Sequence, residues 1–399
     1  MKSRNQFAWL QASAGLSNLA DGVFQVVVPL VTLGVTRNPI LYASVMLAIR
    51  LPWLFFALPA GAIADRSDRR RIMVMVNVSR TALIGGLAIT TGLELNSVGL
   101  LATAVFALGV GETLFDTSSQ SILPAIVDPD DLARANGRLY GVELTLNQFI
   151  GPPLGGFLVG VGAGLALGGV AGAYLLAAGA LLMVSGSFRP ERAAAPQSLR
   201  ADIAEGLRYL WNHRILRTLA LLTGLANLTG SASFTVLALY AVAPGPMGLT
   251  PTGFGLLLAA MAVGSVGGTF AAAPAERLLG RWGAITTSFA FFIPGVGAAA
   301  FTSSGVIVGL SLAAMGAASV IWNVITVALR QRIVPDTMLG RINGSYRLVA
   351  WGTSPIGTAA GGVLTAMFGM RFVFAAAAIA TAASLPLLVG LRTALNGDT

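Results

Sequence analysis

A few ionisable side chains stand inside otherwise apolar stretches, and their types and spacing suit the handling of protons. Asp21 lies about halfway along the first apolar run, with Asn18 and Gln25 at i−3 and i+4 on the same helical face. Glu112 and Asp116 are four residues apart, hence on one face of a later helix. Two carboxylates so placed repel when both are ionised, and a proton on one relieves the pair, which is what a proton carrier requires. Arg50 sits within the second run, just before Pro52 and Trp53. It needs a counter-ion, for which Asp21 and Glu112 are the candidates. An arginine that releases an acid when substrate arrives would link binding to protonation. The competing reading is a permanent salt bridge or a snorkel toward the outer surface. Arg80 lies nearer the cytoplasmic end of its run, where snorkelling is expected, and Glu143 is expected at an interface. An ionisable group at a bilayer centre costs about 2.5–3.5 kcal/mol on insertion scales, so each needs a structural hydrogen bond or a function. For Asp21 the functional reading, an acid facing a cavity, is preferred.

The elements that must hold these residues follow from composition. Of 399 residues, 55% are hydrophobic and 10% charged, whereas soluble domains carry roughly 25% charged residues. The chain is therefore an integral membrane protein, all-α, and its apolar runs of about 20 residues each match a hydrocarbon core roughly 30 Å thick. Twelve spans are expected, leaving no room for a soluble domain. The net charge of +9 does not indicate nucleic acid. Nearly all arginines and lysines fall in loops on one side under this model, the opposite loops holding Arg37 and Arg371. That asymmetry is the positive-inside rule and puts both termini in the cytoplasm, with basic loops against anionic lipid. Cys is absent and His213 is the one histidine, expected to be solvated, so no metal site, disulfide or cofactor is expected. The first run begins within seven residues of Met1 and contains Asp21, and it reads as a permanent span rather than a cleaved signal.

Along the chain, the two flanks of the hinge Gly61–Arg71 are long apolar runs, so the hinge is a loop that does not cross the bilayer. Asp130 or Asp131 is expected to cap a short surface helix ending at Asn136-Gly137. Near the middle, residues 189–217 form the longest polar stretch. From Ser198 it has Leu199, Ile203, Leu207, Leu210 and Trp211 on one side and Arg200, Asp202, Glu205 and Arg208 on the other. This predicts an amphipathic interfacial helix joining bundles at 1–188 and 218–399. The halves echo each other in order: Pro129-Asp130…Asn136-Gly137 with Pro335-Asp336…Asn343-Gly344, Gly155-Gly156 with Gly361-Gly362, and more weakly Asp65-Arg66 with Glu276-Arg277. Such echoes point to a duplicated 6+6 bundle.

The hinge Gly61-x-x-x-Asp65-Arg66-x-x-Arg69-Arg70-Arg71 resembles motif A of the major facilitator superfamily. With Glu205-Gly-Leu-Arg-Tyr-Leu and the duplicated loops, it is similar to the branch of bacterial macrolide, multidrug and siderophore exporters. The resemblance implies two pseudo-symmetric six-helix halves around a central cavity and proton-coupled export. It also implies an inner gate of Gly61, Asp65, Arg66, Arg69 and Arg70 that Asp116 completes. Gly151-Pro152-Pro-Leu-Gly155-Gly156 resembles motif C, which in the family marks antiporters; its small residues allow close helix approach and its prolines permit a bend. The fourth span lacks the family's motif B arginine, for which Arg50 is the candidate substitute.

The spans of the second half carry no acid. Their cavity candidates are neutral: Asn227, Ser231, Tyr240, Trp322, Asn323, Thr326 and Trp351. A mostly apolar cavity with aromatics suits amphiphilic or weakly cationic molecules. The expectation is a monomeric inner-membrane exporter of small amphiphilic molecules, exchanging them for protons. The rivals are an uptake symporter and a lipid flippase or non-transporting scaffold. An enzyme is disfavoured, because no nucleophile–base or ligand cluster stands at a span end.

Overall fold

A computed structural model of the chain describes residues 2–64, 66–186, 188, 199–335 and 338–392. Among them the regular structure is helical: α1 (Lys2–Val35), α2 (Pro39–Ala64), α3 (Arg69–Gly92), α4 (Val98–Ile122), α5 (Leu132–Glu143), α6 (Gly151–Val161), α7 (Ala163–Leu182), α8 (Leu199–Asn212), α9 (Arg214–Ala241), α10 (Pro251–Phe301), α11 (Gly305–Ile333), α12 (Leu339–Trp351), α13 (Thr353–Phe368), α14 (Met370–Ala383) and α15 (Pro386–Val389). Helix starts are set locally. Asp68 accepts the Arg71 amide at 3.0 Å to begin α3, and Ser97 and Ser304 do the same for α4 and α11.

Nine candidate spans among the described residues have the length and hydropathy to cross a bilayer on their own. One of the nine, α10, covers two of the expected spans and bends at Gly280, whose φ of 70° is open to glycine but strained for other residues. Two other expected spans are interrupted. Between α5 and α6 the backbone widens into a π-helical turn, Leu144–Ile150, and α12 gives way to α13 at Gly352. The expected stop at Asn136-Gly137 does not occur: Asn136 turns its side-chain amide back onto the Leu132 carbonyl at 3.0 Å, and α5 runs on to Glu143.

The chain divides into two compact units, Met1–Ala194 with Gly248–Ala259, and Ala195–Met247 with Ala260–Thr399. In the first, α1 packs on α6 and α7, α3 on α7 and α4, and α4 on α2. Two apolar clusters fill it. One includes Ala20, Ile84, Leu108 and Tyr174; the other includes Leu10, Val76, Phe115 and Leu181. In the second unit α9 packs on α12, α13 and α14. The amphipathic helix α8 does not lie free there. Gly206 lets it ride on α12, where a Cβ would come within 2.6 Å of the Arg341 carbonyl, and Glu205 pairs with Arg341 at 2.7 Å. His213, expected to be solvated, is half-buried: its ring stacks on Tyr209 and its Nδ1 is buried without a hydrogen-bond partner among the described residues.

Candidate proton-coupling site

On α3 and α4 a single ionisable residue stands where one apolar cluster gives way to the other: Arg80 between Val76 and Ile84, and Glu112 between Leu108 and Phe115. On α1 Asp21 lies between Ala20 and Val23, both of one cluster. The three charges form one polar layer in the first unit, joined through Arg80. Arg80 is at its centre, 3.8 Å from Asp21 and 3.9 Å from Glu112. Its guanidinium lies over the rings of Tyr174 on α7 and Phe115 on α4, 5.1 and 5.3 Å from their centroids, a placement that favours a cation. The Tyr174 hydroxyl donates to Asp21.

Access is unequal. The Arg80 side chain is 3% exposed, whereas Asp21 retains 22% and Glu112 41%. Both acids therefore have an open edge and their shared cation does not. Neither ion pair reaches hydrogen-bonding distance, so Arg80 is held midway rather than committed to one partner. Asp116 and Arg50 act on this layer at longer range, Asp116 through Arg80 and Asp21, Arg50 through Glu112.

The rim beside Asp21 is polar. Gln25 donates to Asn147 Oδ1 at 2.7 Å, and Asn147 donates to Asn18 Oδ1 at 3.4 Å, so one asparagine of the π turn bridges the stripe on α1. Glu143, Thr145 and Gln148 around it are exposed, as are the apolar Phe149 and Ile150 that follow. Uncompensated polar groups in hydrocarbon are costly, so the polar edge calls for water or polar partners. By contrast the exposed side chains along the middle of α3 and α7 include the apolar Met75, Val78, Leu175 and Leu176.

A family model described as Transmembrane secretion effector matches residues 2–397. The chain belongs to this family of the major facilitator superfamily. Among its relatives is the multidrug efflux pump Tap. The Mycobacterium tuberculosis (strain ATCC 25618 / H37Rv) protein is 32% identical over 54% of this chain and 52% of its own length. The match therefore spans about half of that relative. Tap of Mycolicibacterium fortuitum is 26% identical over 96% of this chain and 92% of its own. The enterobactin exporter EntS of Salmonella typhi is 27% identical over 77% of this chain and 73% of its own. The solved nucleoside transporter NupG superposes with a TM-score of 0.73 over 97% of this chain and 99% of its own, at 12% identity, a likeness of fold. The all-α, multi-pass membrane fold is thus that of the major facilitator superfamily.

The glycines of the Gly151–Gly156 stretch seat the acid-bearing helix. A Cβ on Gly22 would overlap the Asn147 carbonyl, and one on Gly151 would lie 2.6 Å from the Gly22 backbone. Gly155 meets Val23 in the same way, and Gly156, buried with Pro152, meets Pro251. The backbone of α6 and the π turn therefore press against α1 within one residue of Asp21. π turns often accompany functional sites.

In motif A, Asp65 lies outside the described residues, and Gly61 is in the last turn of α2. Arg66 is exposed in the turn that follows. Asp68 caps α3, its second oxygen accepting the Phe188 amide at 3.0 Å. The Arg69 amide reaches the Phe188 carbonyl, and Arg70 donates to the carbonyls of Leu181 and Leu182 at 2.9 and 2.8 Å. The motif thus ties the start of α3 to the end of α7, satisfying carbonyls that a helix end leaves open. Asp116 makes no hydrogen bond or ion pair among the described residues, and its charged neighbours include Asp21, Arg80, Glu112 and Glu143.

Further expectations are corrected. Arg50 is not the ion-pair partner of Asp21 or Glu112; that place belongs to Arg80. Arg80 does not snorkel, because Arg69 at the helix start is roughly 16 Å away at 1.5 Å per residue, beyond an arginine's reach. In the second unit Tyr240 is core rather than cavity: fully buried, edge-on to Phe374, it donates to the Thr302 carbonyl and accepts from Arg371. Thr326 is likewise buried. Asn227 binds the Ala350 carbonyl at 2.7 Å, Ser231 is half-buried, and Trp322 donates to Thr223 against the ring of Phe289. Asn323 and Trp351 are exposed, Trp351 beneath Arg347. Among the described residues no group of three acids or histidines could hold a metal ion.

Proposed function

We propose that this facilitator exports small amphiphilic molecules from the cytoplasm in exchange for protons, by alternating access, with Asp21 and Glu112 as the proton-bearing acids. The observation that carries the proposal is their open edge beside a sealed Arg80. The buried layer contains one cation and two acids. A proton on either acid leaves the other to neutralise Arg80; loss of that proton leaves one uncompensated negative charge at an accessible place. A cationic or hydrogen-bonding substrate reaching that edge supplies the missing compensation. Proton and substrate are then alternatives at one location, which is the requirement for exchange. Within the first unit Asn18 and Gln25 are the assigned substrate contacts; taken by itself, the second unit offers Asn227, Ser231, Trp322, Asn323 and Trp351 as candidates.

The direction is supported by the names of the relatives, a multidrug efflux pump and an enterobactin exporter. The proposal includes twelve spans in bundles at 1–188 and 218–399, joined by 189–217, in a plasma membrane with both termini cytoplasmic and one chain sufficient. It also includes motif A and Asp116 at the inner gate. One proton charge entering down 100 mV supplies about 2.3 kcal/mol, roughly fifty-fold accumulation at full coupling.

The test is efflux of a panel of dyes and antibiotics from cells expressing the protein, with and without a protonophore. Energy-dependent efflux lost on protonophore addition is expected. Accumulation driven inward by the same proton gradient in oriented vesicles would overturn the direction.

A further inference from the structure

One turn nearer the start of both helices than Asp21 and Arg80, α1 and α3 carry a second buried polar pair. Ser17 precedes Asp21 by four residues on α1, and Asn77 precedes Arg80 by three on α3. Asn77 Nδ2 donates to Ser17 Oγ at 3.3 Å, so Ser17–Asn77 and Asp21–Arg80 are successive rungs between the two helices. We propose that the rungs enclose a binding site for one internal water molecule, held by Asn77 Oδ1, Arg80 Nη1 and the Asp21 carboxylate. This water keeps Arg80 short of Asp21.

Three observations combine. First, two polar atoms at the site have no protein partner. Asn77 is fully buried and the Arg80 side chain is 3% exposed, yet Asn77 Oδ1 and Arg80 Nη1 make no hydrogen bond among the described residues. Buried groups of this kind are nearly always satisfied, by protein or by ordered water. Second, the spacing fits. Arg80 Nη1 is 3.8 Å from Asp21 Oδ1, too far for a direct hydrogen bond and close enough for one molecule to touch both. Third, the count of donors and acceptors selects the occupant. It must accept from Arg80 and donate twice, to Asn77 and to Asp21, which water does. A metal cation or an ammonium offers Arg80 no acceptor, and an anion without a proton offers Asn77 Oδ1 no donor. The open edge of Asp21 gives water its way in, while Met73 and Ile84, the next turns of α3 on either side, are buried and apolar.

The consequence for transport rests on the proton-exchange reading; the water itself does not. A direct Arg80–Asp21 contact would be a charge-assisted hydrogen bond, the strong kind. With water between them, the carboxylate stays free to exchange its proton, and Asn77 acts as a positioning residue for Asp21.

A crystal structure of the full chain in which ordered waters are visible tests the site. In wild type one peak is expected within about 3.2 Å of Asn77 Oδ1, Arg80 Nη1 and an Asp21 oxygen. A structure without that peak overturns the proposal. Asn77→Leu nearly keeps the volume and removes the acceptor; it should lose the peak and bring Arg80 into direct contact with Asp21. A peak that persists in this variant, or a gap that stays at 3.8 Å once the peak is gone, overturns the role of Asn77. In proteoliposomes Asn77→Leu should slow pH-gradient-driven accumulation of an exported dye about ten-fold and leave counterflow unchanged. Unchanged accumulation, or equal loss of both, overturns the positioning role. Wild type that shows the peak but no gradient-driven accumulation would refute proton exchange and support the water site.

Discussion

Arg80 cannot give up its proton in a protein, so the structure makes an asymmetric prediction about removing its partners. At 3.8 Å and an effective dielectric of 20, one ion pair is worth about 4 kcal/mol. The 41% exposure of Glu112 lowers its share toward that of a surface pair. Asp21→Asn keeps an oxygen for the Tyr174 hydroxyl and leaves Glu112 to compensate Arg80, so a loss of about 1 kcal/mol is expected. Glu112→Gln should cost less. Asp21→Asn combined with Glu112→Gln strands a guanidinium that is 3% exposed, and the expected cost rises to about 3–5 kcal/mol. Adding Arg80→Met to that pair removes the stranded charge and should return most of the loss, since an apolar replacement of a buried charge cluster is often neutral. Thermal unfolding in detergent, followed by tryptophan fluorescence with monodispersity as a control, should rank the double variant lowest, roughly 10 °C below wild type for a unit of this size. The triple variant should fall with the single variants. A double variant as stable as either single, or a triple no better than the double, would refute the shared-cation arrangement.

Two further outcomes follow from the same geometry. Gly22→Ala should destabilise by about 1–3 kcal/mol despite alanine's better helix propensity, because its Cβ would overlap the Asn147 carbonyl; Gly85→Ala, with nothing within 4 Å, should show no loss in the same unfolding assay. Tyr174→Phe keeps the ring under Arg80 but removes the donor to Asp21. It should cost about 1 kcal/mol and displace the pH profile of efflux, and an unmoved profile would exclude Tyr174 from positioning Asp21.

The helical membrane fold and the prominence of Asp21, Asn18, Gln25 and Glu112 were legible in the sequence, because charge inside an apolar run is conspicuous against its neighbours. What periodicity does not report is which helices are adjacent. Arg80 was assigned by depth to the membrane surface, yet α3 lies against α7 and α4, so a sideways ion pair prevails over snorkelling. Tyr174 sits in a Gly/Ala-rich run with no polar neighbour to mark it, and Asn147 counts as an ordinary interfacial residue until the π turn rotates it toward α1. Tyr240 had the right type for a cavity, but facing Phe374 makes it core. The π turn had one available sign, the Gly-Pro-Pro sequence that follows it and removes backbone donors from the start of α6.

Exchange of substrate for protons at Asp21 is tested most directly in proteoliposomes loaded with a dye that the wild type exports. An imposed pH gradient should drive accumulation by wild type and not by Asp21→Asn, while dye counterflow without a gradient persists in both. Gradient-driven accumulation by Asp21→Asn at the wild-type rate would contradict the assignment of the proton to this residue.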